Sequence, residues 1–135
     1  MQNFIYALIQ VIHNFGAVAV VGIAASALWM VRGAGAIQHR LALLSAVAWA
    51  VQAATGVLFG ISTFYFESHL PDIHGIAVDA LIIKMFCASG GFILAVAYVK
   101  WESGWSATKR LSAWRALLAL GTVALSSAAF LRWFS

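Results

Sequence analysis

The chain has 135 residues, 64% of them hydrophobic and only 9% charged, with a formal net charge of +4. A water-soluble domain carries about 25% charged residues, so this composition, with a mean hydropathy of +0.95, excludes a soluble core. The basic excess does not point to DNA or RNA, because the Lys and Arg residues flank apolar runs, where such residues set membrane topology.

Four apolar runs, at 4–31, 41–66, 76–99 and 111–134, each exceed the roughly 20 residues that cross a hydrocarbon core of about 30 Å. Period-2 alternation is absent, which excludes a membrane β-barrel. The expected fold is all-α: one domain over 1–135, an integral membrane four-helix bundle running up-down-up-down. The first run lacks a positive n-region before Phe4 and is longer than the apolar stretch of a signal peptide, so it reads as a retained helix.

The first connection, VRGAGAIQHR, has Gly33 and Gly35 as breakers and carries Arg32 and Arg40. The second, FESHLPDIHG, holds Pro71 and ends at Gly75; such residues mark turns. It is acidic, with Glu67, Asp72 and, just beyond, Asp79. The third, WESGWSATKR, is basic through Lys100, Lys109 and Arg110, with Arg115 just inside the last run. The positive-inside rule then places the first and third connections in the cytoplasm and both termini on the periplasmic side of a bacterial inner membrane. Trp101, Trp105 and Trp133 stand where interfacial anchors belong. His39, beside Arg40, reads as interfacial. Cys87 lies mid-helix without a second cysteine, so it reads as a small packing residue.

Ionisable groups at bilayer depth cost about 2.5–3.5 kcal/mol on insertion scales, which makes them functional candidates. His13 and Lys84 are two such groups. Helical spacing puts Tyr6, Gln10, His13 and Ala17 on one face of the first helix. Ser45, Gln52 and Phe59 share a face of the second, with Thr55 beside it. Lys84, Cys87, Gly91 and Ala95 align on the third, and Arg115, Thr122, Ser126 and Ala129 on the fourth. By a rise of 1.5 Å per residue, His13, Thr55, Lys84 and Ser126 all fall about 12–16 Å below the outer surface. The expectation is a polar pocket lined by His13, Gln52, Thr55, Lys84 and Ser126, reached from outside. Lys84 has no carboxylate on its own face, so a propionate or a quinone oxygen is a natural partner. The acidic connection offers a second constellation, Glu67, His69 and His74, whose carboxylate and imidazole groups suit Cu(II) or Zn(II).

The stretch IHNFGAVAVVG, with His13, Gly16 and Gly22, resembles the first helix of the copper-resistance D (CopD) membrane domain and of related HemJ-type proteins. Lys84 in an apolar helix, followed by KWESGWSATKRL and AWRALLALGTVAL, is similar to the C-terminal half of that domain. Two functions follow from the resemblance. The HemJ type implies haem binding and porphyrinogen oxidation at the residues matching His13 and Lys84. The CopD type implies copper movement across the inner membrane.

The favoured expectation is a haem- or porphyrin-linked redox protein, or the membrane subunit of a respiratory assembly. His13 would be the axial ligand of haem b, and Lys84 would pair with a propionate or assist proton transfer. Copper or another divalent cation is the alternative, captured at Glu67, His69 and His74 and passed to His13. A non-catalytic accessory subunit is the third possibility. Expected partners are the lipid bilayer and either further copies or a larger membrane complex.

Overall fold

The computed structural model describes residues 1–30, 35–68 and 73–134. They form helices α1 (Gln2–Trp29), α2 (Gly35–Glu67), α3 (Ile76–Trp101) and α4 (Ala107–Phe134), with a 3-10 turn over Glu102–Gly104 before α4. All four helices are long and apolar enough to cross a membrane. The fold is therefore the expected all-α four-helix bundle. α1 and α3 each pack against both α2 and α4, so α1 and α3 occupy one diagonal of a four-cornered bundle. The start of α1 meets the end of α2 through Tyr6 and Thr63, and the start of α2 meets the end of α3 through Gln38 and Tyr98. The start of α1, the end of α4, Glu67 and Asp79 thus share an acidic end, and Arg40, Lys100, Lys109 and Arg110 share a basic end.

Helix boundaries differ from the expected runs where polar residues continue a helix past its apolar stretch. α2 begins at Gly35, not at 41. Its first turns carry Gln38 and His39, whose side chains bond to Tyr98 and Glu102. Gly35 opens the helix and does not break it. α4 begins at Ala107, not at 111. The backbone N–H of Lys109 donates to Ser106 Oγ at 3.2 Å, the bond by which a serine caps a helix start. At the other end, Ser68 closes α2 with φ 59°, and its N–H bonds Phe64 O at 3.0 Å. Gly75 opens α3 at φ 53°, a left-handed conformation natural to glycine.

The apolar core lies toward the basic end. Its largest fully buried side chains are Trp49, Trp114, Tyr98 and Leu117. Tyr98 packs its ring on Trp114 and Trp105, at centroid distances of 5.1 and 5.7 Å. Trp105 is thus half inside the bundle, whereas Trp101 and Trp133 are exposed as belt residues. Gly91 makes this packing possible: a Cβ there would collide with the Trp49 ring. A small residue lets α2 and α3 close around an indole, which is the means by which membrane helices pack. Large apolar residues such as Phe15, Phe86 and Ile93 point outward, as a lipid-facing surface requires.

The expected polar face of α4 is corrected. Arg115, Thr122, Ser126 and Ala129 are exposed, and the buried residues are Ala113, Trp114, Leu117, Gly121 and Ser127. Packing decides the rotation of the helix. A Cβ on Gly121 would lie 3.1 Å from Val21 Cγ2 of α1, so α1 and α4 approach closely with Gly121 between them. The outward hydroxyls are satisfied locally: Thr122 Oγ1 donates to Leu118 O and Ser126 Oγ to Thr122 O, both at 2.9 Å. Bonding to the carbonyl four residues back lets a hydroxyl face lipid.

Candidate functional site

Three helices meet at His13. Gln52 of α2 donates from Nε2 to the His13 backbone oxygen at 2.6 Å. The amide has room because residue 16 is glycine; a Cβ there would stand 2.5 Å from Gln52 Nε2. The Gly16 of the sequence pattern therefore seats an amide between α1 and α2.

The imidazole is held at both nitrogens. His13 Nδ1 lies 2.7 Å from Thr55 Oγ1, and His13 Nε2 lies 2.9 Å from Lys84 Nζ. Two observations fix the direction of these bonds. Thr55 uses its only hydroxyl proton on the Val51 carbonyl at 2.6 Å, so it accepts from Nδ1–H. An ammonium donates and cannot accept, so Nε2 is the acceptor toward Lys84. Both conditions give the same tautomer, with the proton on Nδ1. The result is a directed chain from Lys84 Nζ through the imidazole and the Thr55 hydroxyl to the backbone of α2.

This chain crosses the bundle diagonal, since His13 is on α1 and Lys84 on α3. Both side chains are half-buried, while Gln52 and Thr55 are buried. Among the described residues no carboxylate forms an ion pair with Lys84. The structure thus brings together four of the five expected pocket residues. Ser126 is the exception: it is exposed and bonded to its own helix.

Above this level, toward the acidic end, the Tyr6 hydroxyl reaches Thr63 Oγ1 at 3.2 Å and Glu67 Oε1 at 3.4 Å. Polar side chains therefore continue from the His13 level to the end of α2. His74 is exposed just before α3, about 15 Å of helix rise from the level of Lys84. His69 lies outside the described residues. Among the described residues no three His, Cys, Asp or Glu side chains converge as a metal site, and the expected constellation of Glu67, His69 and His74, which would pass an ion to His13, includes His69 outside the described residues.

A second polar cluster, missed from sequence, ties the basic end. Tyr98 donates to Gln38 Oε1 at 2.9 Å, and His39 Nδ1 meets Glu102 Oε1 at 2.5 Å. His39 is thus a partner of the 3-10 turn and not merely an interfacial residue. The four-residue spacing of Tyr98 and Glu102 on one helical face was the available signal.

Haem or a porphyrin is the group that the sequence resemblance implies, and the side chains present fit it in kind. A ligating histidine uses one ring nitrogen and donates the other N–H to a neighbouring oxygen, which fixes ring and tautomer. The Nδ1–H to Thr55 bond is of that form, and the Nε2 lone pair it leaves is directed at Lys84. Lys84 supplies an amine suited to a carboxylate. Comparison of the chain with protein-family models, with curated proteins and with solved structures finds no match.

Proposed function

We propose that this chain is a redox protein of a bacterial inner membrane, or the membrane subunit of a respiratory assembly, built to hold haem or a related porphyrin at His13. One observation supports the reading above others: the direct bond between Lys84 Nζ and His13 Nε2, made by two ionisable groups at bilayer depth. A pair that served only to join helices would be met at lower cost by serine, threonine or apolar residues.

In this reading His13 Nε2 would hold the group, with the imidazole oriented by Thr55 through Nδ1 and by Gln52 through the backbone of α1. Lys84, which bonds His13 Nε2 at 2.9 Å, would supply the cation that pairs with a propionate. When bound, the porphyrin supplies one-electron or hydrogen-transfer chemistry. With Nε2 so engaged, the bond from His13 Nδ1 to Thr55 would remain and keep the ring proton on Nδ1. Orientation follows the basic connections, with the acidic end and the polar column of Tyr6, Thr63 and Glu67 facing the periplasm.

The test is an absorption spectrum of the purified protein with and without dithionite, read beside metal analysis. A Soret band that shifts on reduction and is lost in His13→Ala is the expected result. Stoichiometric copper without porphyrin would replace this reading with cation handling. Neither group, with Lys84→Met fully active in cells, would reduce the chain to an accessory subunit.

A further inference from the structure

At the basic end, remote from His13, Leu94, Ala97, Lys100, Ser103, Trp105 and Lys109 contribute to the lining of an open concavity of about 740 Å³. We infer that it is a binding site for an anionic phospholipid, which places its phosphate between Lys100 and Lys109 and an acyl chain along Leu94 and Ala97.

The charge balance carries the first half of this inference. Of the chain's four carboxylates, Glu67, Asp72 and Asp79 belong to the opposite end of the sequence pattern. The fourth, Glu102, is held by His39 of α2 and does not line the concavity. Among the described residues neither Lys100 nor Lys109 has a carboxylate partner. Lys109 is not loose, however: its Nζ stands 4.6 Å from the Trp105 ring centre, a cation–π contact that positions the ammonium and leaves its N–H groups available. Ser103 adds a hydroxyl at the rim.

The shape carries the second half. Leu94 and Ala97 lie about one to two turns deeper on α3 than Lys100 and Trp101, at roughly 1.5 Å per residue. The lining therefore changes from apolar to cationic along the direction in which a lipid changes from chain to headgroup. A free phosphate would use only the rim, so an amphiphile is the better match. Membrane surfaces with anionic lipid attract such basic residues in the same way. This site is independent of the porphyrin reading.

The experiment uses the full chain in nanodiscs and reads tryptophan quenching by brominated phosphatidylglycerol against brominated phosphatidylcholine. Wild type is expected to prefer the anionic lipid by about fivefold for each engaged lysine. K100Q/K109Q should lose that preference, and K100R/K109R should keep it. Equal quenching by the two lipids in wild type would overturn the site, as would a preference undiminished in K100Q/K109Q. Should the glutamine pair fail to insert, the wild-type comparison alone decides. Loss of the preference on adding millimolar inorganic phosphate at constant ionic strength would show that the concavity takes free phosphate and would overturn the lipid assignment.

Discussion

The two halves of the bundle are built on opposite principles. Toward the basic end the interior is indole, phenol and aliphatic, with Trp49, Trp114, Tyr98 and Leu117 almost wholly buried and Gly91 and Gly121 bringing the backbones together. Toward the acidic end the buried or half-buried positions include Tyr6, His13, Gln52, Thr55, Thr63 and Lys84, joined by directed hydrogen bonds. The first half fills space. The second half places polar and ionisable groups within membrane-length apolar helices, where ionisable groups carry an insertion cost that the proposed ligand chemistry would account for. Stability and function are therefore expected to separate along the bundle axis.

Substitutions can break or sharpen that division. Trp114→Ala should be the most damaging, costing about 3–5 kcal/mol as a large buried aromatic, read by unfolding in mixed detergent micelles. Gly91→Val should follow, at about 1–3 kcal/mol by overpacking, because any Cβ meets the Trp49 ring. Both lie in the apolar half, and neither should alter the ligand chemistry of protein that still folds. Lys84→Met should do the reverse. The stranded Nε2 of His13 opposes the relief of removing an amine from the bilayer, so stability should stay within about 1 kcal/mol while porphyrin retention falls at least tenfold by absorbance. Thr55→Val should cost about 0.6–1 kcal/mol and free the imidazole to change tautomer, visible in its ring nitrogen chemical shifts. Ser126→Ala should change stability by less than about 0.5 kcal/mol, since that hydroxyl faces outward.

The helix count, the antiparallel order and the convergence of His13 and Lys84 at one level were legible in the sequence because membrane-length apolar runs are scarce in polar residues, whereas the direct bond between the two was not. Any polar residue there stands out, and the helical repeat assigns its height. The face of α4 was not legible. Thr122 and Ser126 look like pocket residues in a list, but each can satisfy its hydroxyl on its own backbone, so polarity does not reveal direction. Gly121 was the informative residue, and its meaning depends on Val20 and Val21 of another helix. The start of α2 was misread for a related reason: Gln38 and His39 are polar enough to resemble a loop, yet they are helical because Tyr98 and Glu102 wait for them on α3.

The most direct test is through-space nitrogen correlation by solid-state NMR on labelled protein in bilayers, without added cofactor. A cross-peak between Lys84 Nζ and His13 Nε2, with ring shifts of the Nδ1–H tautomer, is the predicted result. A Lys84 signal in contact with lipid acyl chains and without the imidazole cross-peak would contradict it.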